Sequence, residues 1–151
     1  MKRFSYLIVI ARIYAVICGF GVWVPAVLAE SPNTLRVLFL GDNGHHKPAD
    51  RYKQLQPVLA KHAIDLDYTA SLEDLSPGKL AGYDCVLIYA NWTQIAPNQE
   101  KALLDFVQQG GGFVPLHCAS YCFLNSPKYI ELVGGQFQKH GTGVFKGKRP
   151  V

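Results

Sequence analysis

The 151-residue chain has little charge: Asp, Glu, Lys and Arg make up 17% of it, against 49% hydrophobic residues. With that balance and no long polar tract, intrinsic disorder is excluded. The length excludes two independent domains and leaves one domain, or one domain behind a targeting segment. Charge of one sign is also scarce where it would matter. The formal net charge is +4, but Lys2, Arg3 and Arg12 account for three of the 15 basic residues, and the 12 that remain face 11 acidic ones. No basic stripe is left, so no nucleic-acid partner is expected. GxGxxG and GxxxxGK[ST] are both missing, which argues against a cradle for nucleotide phosphates. There is no HExxH, no paired CxxC and no CxxCH, so neither a metal nor a haem is expected, and no cofactor is implied. Internal repeats and low-complexity segments are absent too.

What is present begins with a hydrophobic stretch. Lys2 and Arg3 precede an apolar run over residues 13–24, Pro25 breaks it, and Val27-Leu28-Ala29 places a small residue before Glu30. This is the layout of a secretory signal peptide over residues 1–29, with cleavage after Ala29. The alternative is an uncleaved anchor over residues 6–28, where Arg12 is the only charge. Arg12 would be costly inside a bilayer, and the run after it is too short to span one. The expected working domain is therefore residues 30–151, exported to a periplasmic or extracellular space, with any membrane contact made through an uncleaved signal segment.

Cys18 would leave with that segment, so Cys85, Cys118 and Cys122 remain, and an odd number leaves at least one thiol unpaired. Cys85 sits in Asp84-Cys85-Val86-Leu87-Ile88-Tyr89 and reads as a small core residue. Cys118 and Cys122 are close enough in sequence to bridge if the turn between them is tight, or to stay as packed thiols.

Residues 35–40 form an apolar run closed by Gly41, followed over residues 49–62 by Tyr52, Leu55, Val58 and Leu59 at helical spacing. A partly exposed strand is expected over residues 64–68 and a strand buried on both faces over residues 84–90. A helix over residues 97–109 starts on Pro97 and stops at Gly110-Gly111-Gly112; a fourth strand, 113–116, follows, and Ser126-Pro127 opens another helix ending at Gly134-Gly135. Strands alternating with helices at these lengths predict an α/β, flavodoxin-like doubly wound parallel sheet. Sites in such sheets lie outside the carboxyl ends of the strands. The residues after Gly135 offer no capping helix, so the domain reads as incomplete at its C-terminus.

Three loops then carry the candidate chemistry. The first, Gly41-Asp42-Asn43-Gly44-His45-His46-Lys47-Pro48, brings Asp42 and two histidines to the sheet edge, and imidazole offers acid-base chemistry near neutral pH. Adjacent side chains point different ways, so one of His45 and His46 is expected to face the site. In the second loop, Asn91-Trp92-Thr93 supplies a polar and aromatic surface suited to a sugar ring, although a Trp at a strand end also serves as packing. The third, Pro115-Leu116-His117-Cys118-Ala119-Ser120, stands where related folds carry a nucleophile on a strained turn with small residues two before and two after it. With Cys118 at the tip, bulky Leu116 occupies one of those positions. With His117 at the tip they are Pro115 and Ala119, a better steric match. His140 is a further candidate at the rim.

The runs Gly110-Gly111-Gly112-Phe113-Val114-Pro115-Leu116-His117-Cys118-Ala119 and Gly134-Gly135-Gln136-Phe137 leading to His140, together with Gly44-His45-His46, resemble the ThuA-like (trehalose utilisation) family. The likeness runs from about Leu35 to Phe145. It implies a class I glutamine amidotransferase-like fold in which the amidotransferase cysteine is generally not kept, in agreement with His117 at the elbow. It also implies carbohydrate processing, of a disaccharide or keto-sugar, and companion modules in a longer parent protein. His117, His45 and His46 are then the expected catalytic residues, and Asp42, Asn91, Trp92, Cys118 and His140 the expected substrate contacts. Two other readings stay open: a non-catalytic module that binds a sugar or partner, and a thiol hydrolase or amidotransferase acting through Cys118.

Overall fold

The structure is a computed structural model that describes residues 34–139 and 141. The expected signal segment, residues 1–29, and His140 lie outside the described residues.

Four strands, β1 (Leu35–Leu40), β2 (Ile64–Thr69), β3 (Cys85–Ile88) and β4 (Gly112–Pro115), form one sheet in the order β2-β1-β3-β4. Every pairing is parallel, with Leu35 opposite Ile64, Val37 opposite Cys85, and Cys85 opposite Gly112. From Val37 onward the central strands are apolar because both their faces are covered, whereas Leu35 and Arg36 at the start of β1 are exposed. On β1 and β3, Leu38, Leu40, Val86 and Ile88 point into one core, while Val37, Phe39, Cys85 and Leu87 point into a second. Alternation of side chains across a strand is what splits one apolar run between two cores.

Helix α1 (Pro48–Leu59) closes the second core with Tyr52, Leu55 and Leu59. Phe39 lies fully buried there, its ring 6.2 Å from Tyr52 and 5.8 Å from Tyr68. Truncating such a side chain to Ala costs about 3–5 kcal/mol. The single turn α2 (Pro77–Leu80), α3 (Pro97–Gln108) and α4 (Pro127–Val133) close the first core through Leu80, Ala102, Leu103 and Tyr129. Tyr129 is 1% exposed, and its hydroxyl donates to the Ala119 carbonyl at 3.0 Å.

Local chemistry fixes the ends of these elements. Each of the four helices has a proline in its first turn, where no backbone donor is needed. Ser126 Oγ accepts from Tyr129 N at 3.0 Å and caps α4. Gly110 takes φ 99° just past α3, a left-handed conformation that glycine reaches without strain, and turns the chain into β4. Two short pieces escaped the sequence pattern: the 3-10 turn Leu72–Asp74 and α2. The expected helix over residues 49–62 resolves into α1 and a 3-10 turn, Ala60–His62, after which Ala63 turns at φ 55°.

Among the described residues no helix is long and apolar enough to cross a membrane.

Candidate functional site

Because α1 leaves β1 toward one face and α3 leaves β3 toward the other, the chain diverges above the carboxyl ends of these two neighbours. A crevice opens at that switch point. Asp42, 8% exposed, ties its floor together. One carboxylate oxygen accepts from Gly44 N at 2.7 Å and the other from Asn91 N, while the Asp42 carbonyl accepts from the Tyr68 hydroxyl at 3.3 Å. The Trp92 indole N–H donates to the Gly41 carbonyl at 2.9 Å, a second tie between the same two strands. Gly41 makes this closeness possible, since a Cβ there would stand 2.6 Å from the Tyr68 ring and 2.7 Å from Pro48 Cβ.

The turn that follows carries His45 and His46 and closes with Lys47 N donating to the Gly44 carbonyl at 3.1 Å. Their rings lie 4.0 Å apart between centroids. On the other side of the crevice β4 runs into a 3-10 turn, His117–Tyr121, whose first residue takes φ 51°. A left-handed non-glycine residue there is the strained strand-to-helix turn that the small flanking residues suggested, with His117 at its tip. Ala119 is wholly buried beneath it, where a larger side chain would not fit. His117 lies 4.9 Å from His46, at 88°. Tyr89 completes the group, 6.1 Å from His46 and stacked on His117 at 6.0 Å and 28°.

These contacts shape the proton chemistry. Burial lowers the pKa of His46 below the ordinary 6.5, the neighbouring His45 and His117 lower it further, and the Asp42 carboxylate works the other way. A neutral imidazole at physiological pH can take a proton from a substrate.

The three histidines open onto a cleft of about 610 Å³, within the usual size of small-molecule sites. His45, His46, Asn91, His117 and Cys118 line it, five of the residues marked out by the sequence. Asp42 and Trp92 stand behind the lining, as ties between strands. Trp92 packs against the first core, so its indole is not a wall of the cleft. His140 lies outside the described residues. Ser120, Tyr121, Phe137 and Gln138 also line the cleft and went unread in the sequence. Phe137 N donates to the Ser120 carbonyl at 3.0 Å, which draws the segment after Gly134-Gly135 over the opening. Tyr89 was missed as well, although alternation along Cys85, Leu87 and Tyr89 places it on the histidine side of β3.

The thiols serve the core. Cys85, Cys118 and Cys122 are all free. Burial pushes Cys118 up to about 11, with the Asp42 charge adding to the shift, and the side chain is 6% exposed. Burial likewise pushes Cys122 up to about 12 against a backbone hydrogen bond at Trp92, and its Sγ donates to the Ala90 carbonyl at 2.8 Å. A nucleophilic cysteine needs the opposite, an accessible thiol with a lowered pKa. Among the described residues, no group of three or more His, Cys, Asp or Glu side chains is arranged to hold a metal ion.

Comparison with known proteins agrees with this fold. A solved structure described as a ThuA-like protein from Bacteroides uniformis matches with a TM-score of 0.58 and 20% identity, over 74% of this chain and 47% of that one. The likeness is one of fold, and the chain spans about half the length of that relative. No curated protein matches. The family model for ThuA, trehalose utilisation, matches residues 36–150, so the four strands, all but Leu35 of β1, and the described lining of the histidine cleft fall within it. The chain belongs to the ThuA family.

Proposed function

We propose that this domain processes a carbohydrate, a disaccharide or keto-sugar, outside the cytoplasm, with His46 and His117 moving the proton. The observation that carries the reading is the meeting of imidazoles from the β1 and β4 loops over one cleft, 4.9 Å apart. His46 is held in the form that accepts a proton, and His117 sits on a strained turn that fixes its direction. The Tyr121 and Phe137 rings, 6.1 Å apart and edge to face, offer apolar surface for the C–H face of a sugar. Asn91 and Gln138 offer amides for its hydroxyls. Membership of a trehalose utilisation family supports the substrate class, and the charged and apolar pattern of residues 1–29 supports export.

The test is a turnover screen of the full chain against intact and oxidised disaccharides, with products followed by NMR. Removal of a general acid or base costs about 10²–10⁴-fold, so His117→Ala and His46→Ala are each expected to lower product formation by at least about a hundredfold. Product formed equally well by both variants would overturn the reading. Thermal stabilisation by a sugar with no turnover would replace it with a binding module.

A further inference from the structure

The described lining of the cleft contains no Asp, Glu, Lys or Arg. Its basic groups are imidazoles, three of them packed ring against ring. The Asp42 carboxylate, which acts on His46 through its charge, lies beneath the lining with its two oxygens accepting from the N–H groups of Gly44 and Asn91. Protonating several of these rings therefore puts like charges about 4–5 Å apart with no opposing carboxylate among the described lining residues.

We infer that the cleft takes an anionic sugar, one that carries a carboxylate, and that the ligand supplies the counter-charge the imidazoles lack. The inference rests on the reading of the cleft as a carbohydrate site. Phosphate fits less well. Tight phosphate sites use guanidinium or ammonium groups, or free backbone donors at a helix N-terminus. The described lining has neither kind of cation, Pro48 begins α1 without an N–H, and the loop donors of Gly44 and Asn91 are already bonded to Asp42. A planar carboxylate needs only two donors, which His46 and His117 can present from opposite sides.

Binding and protonation are then linked. His46 is faced by His45 on its own turn, His117 beyond β4, Tyr89 at the end of β3 and Asp42 below. In the empty protein burial and the two neighbouring imidazoles keep His46 neutral at pH 7. A bound carboxylate favours its charged form, so binding draws in a proton, affinity rises as pH falls, and in that complex His46 is the acid of the pair and His117 its base. When one proton is taken up, affinity changes about tenfold per pH unit above the pKa of the free group.

The experiment is calorimetry of the full chain with glucuronate, glucose, acetate and inorganic phosphate at pH 7.5, 6.5 and 5.5, in buffers of different ionisation enthalpy. Glucuronate is expected to bind about tenfold more tightly at pH 6.5 than at 7.5, with uptake of about one proton, and His46→Gln is expected to remove that dependence. If His46→Gln fails to melt cooperatively, His45→Gln, at an exposed side chain, is expected to weaken the dependence. Glucose binding as tightly as glucuronate at every pH would overturn the inference and leave the carbohydrate reading standing. Acetate matching glucuronate would do the reverse, keeping the anion preference and removing the sugar. Phosphate matching glucuronate, or no binding by any of the four, would overturn the inference.

Discussion

His46 and His117 come from loops at opposite ends of the described sequence and meet at nearly a right angle, 4.9 Å apart. Burial and the rings of His45 and His117 raise the cost of charging His46, and this has a measurable effect on the protein without ligand. The folded-state pKa of His46 lies below the ordinary 6.5 that the unfolded chain would show. Between the two values the unfolded chain binds more protons, so stability falls as pH drops from about 7 through that window. The melting temperature is expected to fall between pH 7.5 and 5.5, and to fall less in His46→Gln. An equal fall in both proteins would remove His46 as the cause.

Asp42→Asn should destabilise the fold while leaving the cleft walls in place. An amide presents one acceptor and one donor where the backbone requires two acceptors, so the N–H of Gly44 or Asn91 loses its partner. Loss of a hydrogen bond to a charged group, with a donor left unsatisfied, costs about 2–3 kcal/mol. Urea unfolding should show a lower midpoint with an unchanged slope.

Cys118 should resist alkylation. With a pKa of about 11, only about one molecule in a thousand carries the thiolate at pH 8. Iodoacetamide followed by mass spectrometry is expected to show slow labelling of Cys118 and Cys122 in the folded protein and rapid labelling in urea. Fast labelling of Cys118 alone in the folded state would reopen the thiol route.

Trp92 and Tyr121 should differ as sugar contacts. Trp92→Phe removes the bond to the Gly41 carbonyl and is expected to cost about 1 kcal/mol of stability, with little change in ligand affinity. Tyr121→Ala removes a cleft wall and is expected to weaken a bound sugar severalfold, with little change in stability, as its side chain is 37% exposed. The opposite pattern would return the stacking role to Trp92.

Sequence patterning reports on burial and chain direction and is silent on contacts between distant loops. The β1 bounds matched the apolar run Leu35–Leu40, and α3 began on Pro97 as expected, because long apolar repeats and proline report on burial and chain direction directly. The single turn of α2 is too short for any helical period to be seen. The elbow at His117 was legible through the sizes of Pro115 and Ala119. The role of Asp42 was not, since a carboxylate in a loop looks the same whether it faces a ligand or two backbone amides. Trp92 left two readings open in the sequence, stacking on a sugar and packing; its N–H on the Gly41 carbonyl and its contact with the first core favour packing. Phe137 and Gln138 reach the cleft across a long sequence separation, which spacing cannot encode.

The all-parallel order of the sheet bears on how the protein comes together in time. Val37 must find Cys85 across a far longer loop than separates Leu35 from Ile64 or Cys85 from Gly112. Such non-local closures slow folding. The β1–β3 seam is also the one that Asp42 and Trp92 bolt together under the cleft. The unit formed by β1, α1 and β2 can assemble earlier from nearer contacts, whereas the histidine walls stay apart until the longest loop has closed. In a stopped-flow refolding experiment the Trp92 emission should therefore recover with the slowest phase, so that the histidine cleft takes shape as the last act of folding.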